Sequence, residues 1–351
     1  MEYYITLTYN CNLKCSYCAA HNVVFYAEKD RVIQQQVLDK ILNFVLQDSK
    51  NREEQSYIVF YGGEPSLETS LMEYVIEKTN NSSLRYILYT NGLLLKTLSP
   101  IILEKLDIVF ISIDGDKKVH DSYKFEGSYD QVIENSLWLK NNSKAKTIAR
   151  ITLQEESDLF KSVINIYKFY DYVFWQIVNK PNFIDPKGMI NRYKKNIKKL
   201  YSFWIGELNK KNYIKIVPFV SLVSNFSLNK KNAFKCGMGV TQIDFDIFGN
   251  AYMCDEYLGE NEHICGTVDN PDQIKINKKS NYEIYHKCTS CSISSLCRGR
   301  CRHALETFPQ ETINVYCKMT KIFVNAVAPV DIHNFVTEID ERVMEITEQI
   351  P

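Results

Sequence analysis

Cys11, Cys15 and Cys18 form a C-x3-C-x2-C run within CNLKCSYC. A four-iron cubane normally takes four thiolates, so a loop offering three, with no fourth nearby, leaves one iron open to another ligand. Structural zinc is the competing reading; it wants four protein ligands, and His21 could complete such a set. The other eight cysteines, Cys236, Cys254, Cys265, Cys288, Cys291, Cys297, Cys301 and Cys317, crowd the last third of the chain. The total of eleven is odd, no secretion signal opens the sequence, and no cysteine lies between 18 and 236. This distribution suits metal ligands better than disulfides. A zinc ribbon would separate its cysteine pairs by about 15–20 residues, far more than the gap between Cys291 and Cys297.

Four shorter motifs follow the first cysteines: Gly62-Gly63-Glu64-Pro65, Thr90-Asn91-Gly92, Ser112-Ile113-Asp114-Gly115 and an arginine, Arg150. Each alone is more often a plain turn or a strand residue. Their positions make them informative. Short segments rich in β-branched and aromatic residues occupy 3–9, 56–61, 84–89, 107–112, 145–153 and 172–178, with helical patterns between them at 34–47, 71–80 and 128–140. About six β–α repeats predict an α/β fold with a parallel sheet, open or closed into a partial barrel. Such folds do chemistry at the carboxyl ends of their strands, where these motifs fall.

CNLKCSYC, with Tyr17 before the last cysteine, resembles the signature of the radical S-adenosylmethionine (SAM) superfamily. The resemblance covers roughly residues 3–180 and implies a partial (β/α)6 TIM-type barrel. It also implies that the open iron chelates the amino and carboxylate groups of SAM, which is cleaved to a 5′-deoxyadenosyl radical that takes hydrogen from substrate. On this resemblance Gly62, Gly63, Glu64 and Pro65 meet the methionine amino group, the glycines permitting close backbone approach. Ser112 and Asp114 reach the ribose, Thr90 and Asn91 line the same pocket, and Arg150 stands near the methionine carboxylate.

The later cysteines resemble a SPASM domain, an extension of many radical SAM enzymes that holds two auxiliary four-iron clusters. That resemblance implies that Cys288, Cys291, Cys297 and Cys317 ligate the outer cluster, and that Cys236, Cys254 and Cys301 bind the inner one. Cys265 is either the fourth inner ligand or an ordinary buried thiol. Asp255, directly after Cys254, matches the base of anaerobic sulfatase-maturing relatives; a solvated turn acid is the bland alternative.

Lys plus Arg equals Asp plus Glu at 42 each, so no global basic field favours nucleic acid. No apolar run approaches the roughly 20 residues of a membrane span, and a soluble, cytoplasmic protein is expected. The stretch 187–215 carries nine bases and one acid, which suits a solvated helix or a docking face for an acidic peptide. The expected organisation is a radical SAM core over 1–185, a basic helical bridge over 186–235, a SPASM domain over 236–320 and an amphipathic C-terminal helix over 321–351. Two auxiliary clusters imply oxidation of a peptide or protein substrate: a cross-link or an oxidised side chain. Formylglycine formation or small-molecule chemistry is the alternative. With the motif beginning at residue 11, no leader-binding domain is expected before it, which leaves a separate leader-binding protein as a partner. A flavodoxin or ferredoxin is the expected electron donor.

Overall fold

A computed structural model describes residues 1–18, 31–228, 237–274, 288–297 and 299–327. His21, Cys236 and the amphipathic pattern over 336–350 lie outside the described residues. Strands and helices alternate as the sequence predicts: β1 (Glu2–Thr8), α1 (Gln35–Lys50), β2 (Tyr57–Gly62), α2 (Thr69–Thr79), β3 (Arg85–Thr90), α3 (Pro100–Lys105), β4 (Leu106–Ser112), α4 (Lys117–Tyr123), α5 (Ser128–Asn142), β5 (Lys146–Leu153), α6 (Leu159–Ile166), β6 (Tyr172–Ile177) and α7 (Pro186–Asn209). They are followed by α8 (Val217–Leu228), β7 (Gln242–Phe245), β8 (Asn250–Tyr252), β9 (Gly266–Thr267), α9 (Ser294–Cys297), α10 (Arg302–Thr307) and α11 (Gln310–Ala326).

Two compact units divide the chain. One holds the described residues within Met1–Ser112, Asp121–Thr147 and Gly237–Asn281; the other holds those within Ile113–His120, Ile148–Cys236 and Tyr282–Pro351. Residues 237–274 and 288–327, grouped together in the sequence reading, therefore fall in different units, and α11 runs across residue 320.

In the first unit the strand order is β4-β3-β2-β1-β7-β8-β9. β1 to β4 and β7 are parallel, while β8 and β9 return antiparallel. One face is aliphatic and aromatic: Tyr3, Ile5, Leu7, Ile58, Phe60, Leu88, Val109 and Phe245 are buried. α1 and α2 bury Leu38, Ile41, Leu42 and Val45, and Met72, Val75 and Ile76, at the three- and four-residue spacing of an apolar stripe. The opposite face is polar and aromatic. The register Tyr4↔Val59, Tyr4↔Asp244, Thr6↔Tyr61 and Tyr89↔Phe110 places Tyr4, Tyr61, Tyr89 and Asp244 on it together.

In the second unit β5 and β6 pair in parallel. Trp175 on β6 meets Phe219 of α8 at 5.6 Å and Phe323 of α11 at 5.9 Å, and Trp204 of α7 meets Phe219 at 5.4 Å. The basic stretch forms a helix only to Asn209. It buries Met189, Tyr193, Ile197, Leu200 and Trp204 and exposes Lys194, Lys195, Lys198 and Lys199, the pattern of a helix packed on one face and solvated on the other. No helix among the described residues is long and apolar enough to cross a membrane.

Candidate active site

The cysteine loop leaves the carboxyl end of β1 and is braced from below by β2. Gly63 N donates to Thr8 O at 2.8 Å, and Glu64 N donates to Asn10 O at 2.8 Å. Both glycines are needed for this contact. A Cβ on Gly62 would lie 2.3 Å from Thr8 O, and one on Gly63 would lie 2.3 Å from Asn10 O. Gly62 also has φ +132, in the region that favours glycine. The glycines thus set the height of the loop carrying Cys11, Cys15 and Cys18, and the Cys18 amide closes the turn onto Cys15 O at 3.1 Å.

Glu64 is 1% exposed, and three donors hold its carboxylate: Ser66 N at 3.1 Å, Thr90 Oγ1 at 2.8 Å and Asn91 N at 2.7 Å. Burial pushes its pKa up, and these hydrogen bonds partly offset the rise. Asn91 extends the brace, donating from Nδ2 to Asn12 Oδ1 at 2.7 Å, with Cys11 Sγ at 3.9 Å. Leu13 N approaches the same sulfur at 3.4 Å, so weak N–H donors face a position suited to a thiolate. GGEP, TNG and the cysteine loop therefore form one hydrogen-bonded assembly at the ends of β1, β2 and β3. Pro65 starts a short 3-10 turn that carries the Ser66 amide.

The remaining pocket residues sit as follows. Tyr17 packs edge-on against Tyr123 with ring centroids 5.3 Å apart, and Ser112 O accepts from Lys124 Nζ at 3.0 Å. In the second unit Asp114 is 2% exposed, its amide donates to His120 Nδ1 at 3.2 Å, and its Oδ1 accepts from Thr152 N at 3.3 Å. Arg150 donates from Nη2 to Gln176 Oε1 at 2.9 Å.

Asp255 is half-buried in the first unit. Its Oδ2 accepts from Tyr61 Oη at 2.6 Å, and its Oδ1 lies 3.4 Å from Cys254 Sγ. Behind it, Asp244 is 1% exposed and takes one hydrogen bond from Gln242 Nε2 at 3.0 Å. Burial, and then the nearby charge of Asp255, hold the Asp244 carboxyl well above the usual carboxylate range. Cys265 Sγ donates to Ala251 O at 3.2 Å, and burial raises its thiol pKa to about 11.

The outer cysteines lie in the second unit on tight turns. Cys291 N donates to Cys288 O at 3.1 Å and Arg300 N donates to Cys297 O at 3.1 Å. Gly299 and Arg300 both adopt positive φ, at 83 and 57. The Arg300 guanidinium stacks 3.9 Å from the ring centroid of Tyr316, the residue before Cys317. Cys301 Sγ accepts from Ala304 N at 3.5 Å and so caps α10. Burial, followed by the neighbouring sulfurs of Cys317 and Cys291, pushes the Cys288 thiol up. Crowded sulfurs that resist ionisation are what a bound cluster relieves. No three cysteine sulfurs among the described residues lie within 4.8 Å of one another. Zinc–sulfur bonds of about 2.3 Å would hold thiolates about 3.8 Å apart in a tetrahedral site, closer than these cysteines stand. The wider iron–sulfur cubane suits the donor sets better.

Residues 5–161 match the model of the Radical SAM superfamily. This stretch is a radical SAM domain. The chain is also 26% identical to the cysteine-type anaerobic sulfatase-maturating enzymes of Clostridium perfringens and Clostridium novyi, over 89% and 90% of its length and 92% and 91% of theirs. Its fold superposes on that of anSMEcpe with bound AdoMet at a TM-score of 0.78, with 20% identity and coverage of 99% of this chain and 98% of that one. It superposes on Streptococcus suis SuiB bound to its precursor peptide SuiA at 0.58, with 17% identity over 87% and 72%. The chain is thus a radical SAM enzyme related to sulfatase-maturating enzymes, and SAM and a four-iron cluster are the cofactors of its domain.

Tyr61 is the site residue that sequence reasoning passed over. Its one signal was its place directly before Gly62, and its partner is 194 residues away.

Proposed function

We propose that this radical SAM enzyme removes two electrons and two protons from a cysteine or neighbouring side chain of a peptide or protein, giving formylglycine or a cross-link. The observation that carries the reading is the acid beside the cysteine: Asp255, 3.4 Å from Cys254 Sγ and anchored by Tyr61, at the carboxyl ends of the strands that hold the radical loop.

When bound at the cysteine loop, SAM and its cluster supply a 5′-deoxyadenosyl radical that takes one hydrogen atom from substrate. The chain's own residues do the rest. Cys11, Cys15 and Cys18 hold the cluster, with Gly62 and Gly63 fixing the loop height. Glu64, Thr90 and Asn91 frame the methionine end, with Tyr17, Pro65, Ser112, Asp114 and Arg150 assigned to the rest of SAM. Asp255 takes the second proton as the substrate loses its second electron. Cys254 and the set Cys288, Cys291, Cys297 and Cys317 hold the clusters that carry that electron away. Cys236 and Cys301 keep their place as auxiliary ligands, and Cys265, bound to Ala251 O, is read as a buried thiol rather than a ligand.

The relation to cysteine-type sulfatase-maturating enzymes along nearly the whole chain supports formylglycine formation, and the SuiB-like fold supports the cross-link. The test is anaerobic incubation of the reconstituted protein with SAM, a one-electron donor and a synthetic cysteine-containing peptide, read by mass spectrometry. A new aldehyde at the cysteine supports the first outcome, and loss of two hydrogens with a bridged fragment pattern supports the second. Deoxyadenosine formation with the peptide unchanged would contradict the proposal.

A further inference from the structure

The phenol of Tyr61 donates to Asp255 Oδ2 at 2.6 Å, at the short end for a hydrogen bond to a carboxylate. The phenol is itself held rigidly. Its ring packs edge-on against Tyr4 at 5.4 Å and against Tyr89 at 5.6 Å, and these two rings lie 5.8 Å apart with their hydroxyls 3.3 Å from one another. Phe110 stacks on Tyr89 at 4.3 Å and closes the row along the polar face of the sheet. Asp255 has no such support of its own. It opens a 3-10 turn of three residues, Asp255–Tyr257, and without an anchor its carboxylate could swing among several rotamers.

We infer that Tyr61 is a positioning residue that locks the Asp255 carboxylate in one orientation, with Oδ2 occupied and Oδ1 left facing the Cys254 side for the substrate proton. The inference rests on the reading of Asp255 as the base. A proton acceptor must lie within hydrogen-bond reach of the proton it takes, so a carboxylate free to rotate would accept it only in a fraction of turnovers. Two fates then compete for the substrate radical. With Asp255 locked, the substrate loses a proton to Oδ1 and an electron to the auxiliary acceptor. With it unlocked, the radical regains a hydrogen atom, and SAM is spent without product. Tyr61 thus sets the coupling between SAM cleavage and product, not the cleavage itself.

Two measurements test this. In the first, 3-fluorotyrosine is placed at position 61 of the anaerobically reconstituted protein and its fluorine resonance is recorded without substrate. Asp255→Asn should move the resonance, whereas Asp269→Asn, an exposed acid paired with Lys40, should leave it unchanged. A resonance indifferent to Asp255→Asn overturns the lock. This measurement needs no substrate, so it decides the lock even where the peptide is not turned over. In the second, product formed per deoxyadenosine is measured with the cysteine peptide. Tyr61→Phe should lower that ratio about 10-fold with deoxyadenosine formation retained, inside the 10²–10⁴ that a positioned acid–base group contributes. In an Asp255→Asn background it should add nothing further. A Tyr61→Phe protein as tightly coupled as wild type overturns the inference. An Asp255→Asn protein that stays coupled removes the base reading itself, a result distinct from failure of the lock.

Discussion

Gly63→Ala is the substitution whose cost follows most directly from the geometry. The added Cβ would stand 2.3 Å from Asn10 O and 2.7 Å from Asn10 C, where ordinary contact begins at 3.4 Å, so backbone must separate by about 1 Å. The obstacle is main chain, so no side-chain rotation relieves it. The two bonds at 2.8 Å that join β2 to the loop, Gly63 N to Thr8 O and Glu64 N to Asn10 O, stretch or break. At about 1 kcal/mol net each, the stability loss is about 2 kcal/mol. The functional loss should be larger, because Asn10 adjoins Cys11 and a misplacement of about 1 Å at a reacting centre costs about 100-fold. The assay is substrate-free formation of deoxyadenosine from SAM, normalised to bound iron. Gly206→Ala on α7 is the control: its added Cβ meets nothing within 4 Å, and a helical glycine replaced by alanine should stabilise by about 0.5–1 kcal/mol. Wild-type deoxyadenosine formation and iron content in Gly63→Ala would refute the claim that these glycines set the loop.

Glu64→Gln keeps the shape but leaves one oxygen to serve Ser66 N, Thr90 Oγ1 and Asn91 N, and turns an amide donor towards the others. It should cost about 1–3 kcal/mol in thermal or chemical unfolding and lower SAM affinity by calorimetry. Burial pushes Glu2 up to about 7, against 4.5 in the unfolded chain. The folded protein holds that proton more tightly, so stability falls as pH rises from about 4.5 to about 7 and stays lower above it. Glu2→Gln should therefore melt higher than wild type at pH 8, by about 2 kcal/mol, with the difference vanishing near pH 5; equal gains at both pH values would count against the assignment.

The first six strands were legible because each is a short apolar run ended by a turn motif. β1, over Glu2–Thr8, and β4, over Leu106–Ser112, fall within about a residue of their expected bounds. Cys11, Cys15, Cys18 and GGEP were legible because their chemistry is carried by residue type and spacing. What the glycines touch was not: their close approach is to the backbone of Thr8 and Asn10. β7, β8 and β9, at four, three and two residues, are too short to carry a period. Their pairing with β1 is a long-range contact that also delivers Asp244 and Asp255 to the Tyr61 face. The basic stretch was legible as a helix, but not its end at Asn209, where Lys210 and Lys211 break the register, Lys211 with φ 60.

The central claim is tested most directly by iron and sulfide content after anaerobic reconstitution, measured with deoxyadenosine formation for wild type and for Cys11→Ala/Cys15→Ala/Cys18→Ala. Three cubanes predict about twelve irons in wild type, about four fewer in the triple variant, and loss of deoxyadenosine with them. Zinc in place of iron, or deoxyadenosine that persists in the triple variant, would contradict the account.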